Sequence, residues 1–404
     1  MEKDMVIFTV QNLSGMDMSS VLTDSIRQEI VSFAQDLVRI KSYSGGEKEI
    51  IIFIAEKMKR LGYDKVNIDS MGNLLGIVGD GPESILFDSH VDTVTSDDAG
   101  EWDIPPFSGE IKNGMLHGRG SVDMKSSVAA TVYAGALAAR AGLISGKTIY
   151  VSCTVYEEDC DGVNLRHLFK EFNIKPGAVI ICEPSDNRIS LGHKGKAQVT
   201  IKAKGVPAHG SAPEKGINAI YEMAEIIGRV EQLNRDLAGK EGAGPTVVMS
   251  RISSKSASLN AVPSECEAYL DRRMVPGESE DDIRREMDAL VSGKNAGWAI
   301  DTIIRRSYTG LEISYKPFHP AWEIGMDHPL TEKCIRAYRD TFGNEPDDFE
   351  FWDFSTNAVT PVSMGIPTIG FGPGDYKLAH MRNEMCSVDQ ITDACRLYIN
   401  LIAC

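Results

Sequence analysis

One apolar run of this chain ends abruptly in metal-ligating side chains, and it constrains the fold more than any other stretch. Ile85–Phe87 is typical of a strand buried on both faces, and Asp88, His90 and Asp92 follow it at once. A neutral imidazole binds zinc, and a carboxylate two residues later can orient the ring. A histidine at a strand end is more often an ordinary buried residue, so this pattern indicates a metal site only if other strands end in the same way.

Two further predicted strands end in the same way. Thr148–Val155 leads into Glu157 and Glu158, and Val179–Cys182 leads into Glu183. In an open, mostly parallel sheet, ligands bind at the carboxyl ends of the strands. Carboxylates gathered there repel one another unless a cation neutralises them. The sequence therefore predicts a metal site at this edge of the sheet.

Two more candidate ligands come from loops. Asp123 precedes the small-residue helix Ser126–Ala141, where a simple helix cap is the alternative interpretation. His380 follows the short strand Pro367–Phe371 through a glycine-rich turn. Asp123 is thus expected at a helix start, and His380 after a fourth strand of the same sheet.

Length and charge limit the function classes. A chain of 404 residues predicts about two domains, and a net charge of −16 argues against a nucleic acid or an anionic membrane surface as partner. No apolar run is long enough to cross a bilayer. The eight cysteines form no CxxC pair, which is typical of reduced thiols in a cytoplasmic protein. The first twenty residues are predicted to be a tail without a signal peptide.

The middle of the chain predicts a second domain. Strand and helix patterns from Ala197 to Arg305 follow the order β-α-β-β-α-β, the signature of a ferredoxin-like unit, with the last strand at Trp298–Arg305. We therefore expect an α/β fold: a mixed, mostly parallel sheet flanked by helices, carrying an inserted ferredoxin-like α+β domain. The expected boundaries are 1–193 and 310–404 for the two parts of the catalytic domain and 194–309 for the insertion.

Six short segments, taken together and in order, resemble a known family. The chain is similar to the two-metal amidohydrolases and peptidases typified by acetylornithine deacetylase, succinyl-diaminopimelate desuccinylase and carboxypeptidase G. The resemblance covers the chain from about Asp24 to its end. The segments are HVDTV (His90–Val94), GRGSVDMK (Gly118–Lys125), EE (Glu157–Glu158), EPS (Glu183–Ser185), HGS (His209–Ser211) and AH (Ala379–His380).

The resemblance implies two zinc ions per subunit, although carboxylate-rich sites also accept cobalt or manganese. It implies that Asp123 bridges the two metals and that Asp92 holds the ring of one ligand. Glu157, beside a ligand but not one itself, would be the general base that takes a proton from the attacking water. The implied ligands are His90, Asp123 and Glu183 for one metal, and Asp123, Glu158 and His380 for the other.

The family also implies a homodimer formed through the inserted domain. His209 would reach the partner's site and donate a hydrogen bond to the oxyanion of the reaction. Arg273 matches an arginine that grips a substrate carboxylate, although an ordinary surface arginine is an equal alternative. Asn260 and the segment Ser355-Thr356-Asn357 fall where the family lines its substrate pocket, with Thr356 and Asn357 as the candidate contacts.

These features predict a metal-dependent hydrolase that cleaves an amide bond of a small N-acylated amino acid. A metallo-dipeptidase or aminopeptidase on the same fold is the alternative, and Glu183 favours the deacylase because aminopeptidases tend to have Asp there. A non-catalytic binding protein is disfavoured because every expected ligand position is filled.

Overall fold

The computed structural model describes residues 21–97, 99–238 and 244–404. The predicted N-terminal tail lies outside the described residues. Most of the predicted helices and strands are present within one or two residues of their expected bounds. The helix Lys48–Leu61, for example, ends at Leu61 because Gly62 adopts the left-handed conformation (φ 89°) that glycine tolerates best.

The larger unit is built on a nine-stranded mixed sheet in the order β1-β2-β6-β3-β7-β18-β8-β16, with β17 beside β8. Its centre, β6-β3-β7-β18, is parallel, and most of the outer pairs are antiparallel. The strands are β1 (Lys65–Ile68), β2 (Leu74–Val78), β3 (Glu83–His90), β6 (Lys147–Thr154), β7 (Ala178–Ile181), β8 (Ser190–His193), β16 (Trp322–Glu323), β17 (Glu350–Trp352) and β18 (Thr368–Gly370).

Helices cover both faces of this sheet. Residues of β3 alternate between two cores, since Phe87 packs with one set of helices and Leu86 with the other. The helices on the Phe87 face are α1 (Asp24–Arg39), α2 (Lys48–Leu61), α3 (Ser126–Arg140), α8 (Pro329–Phe342) and α10 (Val388–Ala403). The Leu86 face packs with residues of α5 (Val163–Glu171) and α9 (Val359–Ser363).

Register brings the carboxyl ends of the central strands together. His90 at the end of β3 lies opposite Thr154 of β6, and Asp88 lies opposite Ile181 of β7. The short helix α4 (Glu157–Cys160) follows β6 directly. The predicted ligands after three separate strands therefore meet at one edge of the sheet.

The smaller unit is an antiparallel sheet in the order β10-β11-β9-β12, with β15 beside β9. This is the strand order of a ferredoxin-like fold, and the inward side chains of β9 form a separate core with the two helices. The separate core supports an inserted unit. The boundaries 194–309 remain a proposal, and Phe318–His319, which lies beyond them, still pairs with β9. The elements are β9 (Gly195–Lys204), α6 (Ala219–Ala238), β10 (Thr246–Lys255), β11 (Glu265–Met274), α7 (Glu280–Val291), β12 (Ala296–Ala299) and β15 (Phe318–His319).

The strand predicted at Trp298–Arg305 is two strands. β12 pairs with β9, whereas β13 (Ile303–Arg306) pairs with β14 (Glu312–Tyr315) in a separate ribbon. Ile303 packs against the larger core, as Tyr315 does. The prediction of a single strand was wrong because the alternation of side chains does not show where the chain leaves one sheet for another.

The remaining strands, β4 (Ile111–Lys112), β5 (Met115–His117) and β19 (Met385–Ser387), form a small antiparallel sheet. All eight cysteines are free thiols, and seven are buried. Among the described residues, no helix has both the length and the apolarity needed to cross a bilayer.

Candidate metal centre and active site

The buried imidazole of His90 is held from both sides. Its Nδ1 lies 2.9 Å from the main-chain carbonyl of Asp92 and donates to it. Its Nε2 lies 2.9 Å from Asp123 Oδ1 and 3.6 Å from Glu183 Oε1. Because Nδ1 carries the donor hydrogen, Nε2 is the nitrogen available to ligate a metal.

His380 repeats this arrangement on the other side of Asp123. Its Nε2 lies 3.2 Å from Asp123 Oδ2 and 3.0 Å from Glu158 Oε2. The two oxygens of Asp123 therefore face two different histidines, each accompanied by a second carboxylate. Hydrogen bonds from both histidines outweigh burial and hold the pKa of Asp123 well below its usual range.

Asp123 does not cap the following helix. Helix α3 begins at Ser126, and Asp123 itself has an extended backbone (φ −117°, ψ 90°). The loop is held by Glu384, whose Oε1 accepts the main-chain N–H groups of Val122 (2.8 Å) and Asp123 (3.2 Å). Glu384 Oε2 accepts a hydrogen bond from buried Arg119 at 2.7 Å.

The carboxylate of Asp92 has a different role from the expected one. It lies 3.7 Å from His90 Nδ1, too far for a hydrogen bond, and the ring is oriented by the Asp92 carbonyl instead. The carboxylate accepts the main-chain N–H groups of Glu157 (3.0 Å) and Glu158 (3.2 Å), and it also accepts from Ser44 Oγ at 2.7 Å. Asp92 therefore fixes the start of α4 relative to β3.

The acidic cluster is short of positive charge. Burial, and then the neighbouring Glu183, raise the pKa of Glu157 well above its usual range. Among the described residues, Glu157 Oε1 and Glu158 Oε1 are buried without a hydrogen-bond partner. Ligand atoms of His90, Asp123 and Glu158 lie within 4.8 Å of one another. Divalent cations fit this set, because they satisfy orphaned carboxylate oxygens and offset the repulsion between the acids.

A second group of three contains Glu157. Ligand atoms of His90, Glu157 and Glu183 also lie within 4.8 Å of one another. The contacts of the two histidines separate the set differently, as His90–Asp123–Glu183 and His380–Asp123–Glu158. The histidine contacts are direct, and they leave Glu157 as the carboxylate outside both of these sets.

A cavity of about 360 Å³ opens over this cluster. Arg273 and Ser355 line it, and the two residues after Ser355 do not. Thr356 and Asn357 are buried and do not line it. The Asn357 amide donates to Asp88 Oδ2 (2.8 Å) and accepts from the Gly162 N–H (2.7 Å), so it braces the sheet edge.

Sequence reasoning missed several residues of the site. Glu384 and Arg119 were missed because they act through main-chain N–H groups far away in sequence. Asp161 lies three residues after Glu158, close to the predicted ligands, and could have been found there. The other missed residues lining the cavity are Pro184, Lys196, Gln198, Phe354, Tyr376 and Ala379.

His209 lies in an exposed turn of the smaller unit and does not line this cavity. Its Nδ1 accepts the main-chain N–H of Ser211 at 3.1 Å, so Nε2 carries the ring's remaining hydrogen. Asn260 is beside it, since its carbonyl accepts the Gly210 N–H at 2.6 Å. Neither residue reaches the cluster of its own chain.

Comparison with known proteins agrees with this geometry. The family model "Peptidase family M20/M25/M40" matches residues 86–403. The chain is 36% identical over 374 residues to YgeY of Escherichia coli K12, a protein described as uncharacterized, covering 92% of this chain and 93% of that one. It is 26% identical over 374 residues to the acetylornithine deacetylase of Pasteurella multocida Pm70, covering 89% and 92%.

Among solved structures, it resembles the M20 family metallo-carboxypeptidase Sso-CP2 of Sulfolobus solfataricus. The TM-score is 0.74 at 18% identity, with 93% of this chain and 98% of that chain covered. That likeness establishes the shared fold. Because the family model spans most of the chain and includes every candidate ligand, the protein is a member of peptidase family M20/M25/M40.

Proposed function

We propose that this M20 metallo-hydrolase cleaves the amide bond of a small N-acylated amino acid. One observation carries the proposal: the two oxygens of Asp123 face two histidines, each with its own second carboxylate, while Glu157 stands beside them with an unpartnered buried oxygen. A purely structural set of ion pairs has no reason to leave that oxygen unsatisfied.

The set of donors supports a site for two zinc ions, with cobalt or manganese as substitutes. Asp123 would be shared, and it would be joined by His90 and Glu183 on one side and by Glu158 and His380 on the other. When bound, the cations would polarise the scissile carbonyl and lower the pKa of a water molecule.

Glu157 is suited to moving the proton. It would accept a proton from the attacking water at Oε1 and deliver it to the leaving nitrogen. Burial and the neighbouring acids raise its pKa, and a raised pKa favours proton transfer by a carboxyl group. The Asp92 carboxylate holds the Glu157 main chain, so the base cannot drift from the cluster.

His209 would stabilise the oxyanion in the partner's site of a homodimer. The tautomer set by Ser211 leaves Nε2–H as a donor. Among the described residues, β10 is an edge strand of the smaller sheet, with Val248 and Ile252 exposed. Leu259, beside the His209 turn, is also fully exposed. Exposed apolar side chains on an open edge support burial against a second copy.

The proposal is tested by screening the zinc-loaded protein against N-acetyl, N-succinyl and N-carbamoyl amino acids beside dipeptides. Turnover of N-acyl amino acids, lost on chelation and restored by zinc, is the expected result. Turnover restricted to dipeptides would favour the dipeptidase alternative. Bound zinc without turnover of any compound would favour a binding protein.

A further inference from the structure

Two cationic side chains face the cavity from the smaller sheet. Lys196 on β9 and Arg273 on β11 are direct partners in the antiparallel register, so their side chains leave the sheet on the same face. Both line the cavity that also contains Asp123, Glu157 and His380. The next pair along the same face is Gln198 opposite Asp271, and Gln198 lines the cavity too.

Placing like charges directly opposite one another destabilises a sheet. Each cation here is held by an acid of its own chain: Lys196 Nζ lies 2.9 Å from Asp161 Oδ1, and Arg273 Nε lies 2.7 Å from Asp271 Oδ1. These contacts leave donors free, because an ammonium has three N–H groups and a guanidinium has five. The pair can therefore donate hydrogen bonds to one further acceptor group in the cavity.

Asp161 fixes Lys196 in place. It is buried at the end of α4, and Ser355 Oγ donates to its other oxygen. Burial raises the pKa of Asp161, but the charges of Lys196 and His319 outweigh it and lower the value to about 2. The ammonium of Lys196 is thus anchored to the larger unit, on the wall that also carries the metal ligands.

We propose that Lys196 is a specificity-determining residue that binds, together with Arg273, the free carboxylate of the leaving amino acid. This rests on the proposed function and narrows it, since a substrate whose leaving half ends in a neutral amide would lose this contact. Arg273 alone would give one charged contact to a carboxylate, whereas the opposed pair gives two from adjacent strands. The class favoured is N-acyl amino acids with an unblocked carboxylate.

The test compares each N-acetyl amino acid that the zinc-loaded protein hydrolyses with its C-terminal amide. Lys196→Met should lower kcat/KM for the acids by about 10- to 100-fold, the effect of one hydrogen bond between charged groups, while changing that for the amides by less than about threefold. Lys196→Arg should restore much of the loss. Lys202→Met is the matched control: Lys202 is on the same face of β9, roughly 20 Å further along the strand, and pairs with Glu267.

Lys196→Met leaves the Asp161 carboxylate buried without its partner, so the double variant Lys196→Met/Asp161→Asn is measured as well. An equal loss on acids and amides, or no loss on either, in whichever variant folds would overturn the proposal.

If the wild-type protein hydrolyses none of these compounds, the proposed function fails first. The carboxylate contact is then tested by calorimetric titration of the zinc-loaded Glu157→Gln protein with the same acids and amides. Tighter binding of the acids that disappears with Lys196→Met would support the carboxylate contact. Equal binding of acids and amides, or no binding of either, would overturn it.

Discussion

Glu384 is the residue whose replacement tests how the bridging aspartate is held. Its carboxylate accepts two main-chain N–H groups of the Asp123 loop and pairs with buried Arg119, and both side chains are almost wholly inaccessible. Glu384→Gln keeps the size and an acceptor oxygen but removes the charge. Arg119 is then left buried without a counter-ion.

The magnitude follows from that burial. Removing one partner of a buried ion pair costs about 3–5 kcal/mol in the free energy of unfolding. Loss of a residue that orients a metal ligand lowers metal affinity by about 10–100-fold. Burial raises the pKa of Glu384 to about 7 against the effect of Arg119, so ionising this carboxylate offsets part of the ion pair's contribution. At pH 8, where the carboxylate is ionised, we therefore expect a cost near the lower end of that range.

The assay is urea unfolding of the metal-free protein at pH 8, followed by zinc titration. Glu83→Gln is the matched control, because the Glu83–Lys333 pair is exposed and should contribute no more than about 1 kcal/mol. Adding Arg119→Met to Glu384→Gln should cost little more, since the unpaired charge is removed with it. If Glu384→Gln costs less than about 1 kcal/mol and binds zinc normally, Glu384 does not order the Asp123 loop.

Three further predictions concern the base, the partner histidine and a buried histidine. Glu157→Gln should keep both metals while kcat falls by about 10²–10⁴, and a near-normal kcat would move the base elsewhere. His209→Ala should bind metal normally and lose about 10²–10³ in kcat. Mixing it with Glu157→Gln should restore activity, because a mixed dimer has one site with both an intact base and an intact histidine. No recovery despite proven subunit exchange would refute a histidine supplied by the partner subunit. Burial lowers the pKa of His193 to about 4, so its contribution to the free energy of unfolding is fully present above about pH 6.5 and falls by up to about 3 kcal/mol as the pH drops toward 4. The urea midpoint of His193→Asn should therefore fall less over that pH range than that of the wild type. An equal fall in the two proteins would contradict the role of His193.

The sequence predicted what depends on local pattern. Apolar runs ending in His90, Glu158 and Glu183 marked parallel strands, and the sheet brought those residues together because parallel strands share a carboxyl edge. The order β-α-β-β-α-β likewise predicted the strand order of the smaller sheet. The candidate ligands implied by the family resemblance lie together at one cluster, whereas His209, Asn260, Thr356 and Asn357 do not line the cavity over it.

What the sequence could not predict depends on register and on distant packing. Glu384 reaches Asp123 across 261 residues through main-chain N–H groups, which leave no trace in residue type. Lys196 meets Arg273 only because β9 and β11 pair in one particular register. Asn357 lies two residues after Ser355, which lines the cavity, but its side chain contacts the sheet edge instead, where its amide bonds to Asp88 and Gly162.

The central claim is that Asp123 joins two metal sites in each chain, and metal stoichiometry tests it most directly. Elemental analysis of chelated protein reconstituted with zinc should give two ions per chain, with hydrolysis of N-acyl amino acids appearing as the ions bind. Asp123→Ala should lose metal and activity together, because both sites share that carboxylate. Two ions at full occupancy in Asp123→Ala, or activity that persists in the chelated protein, would contradict the account.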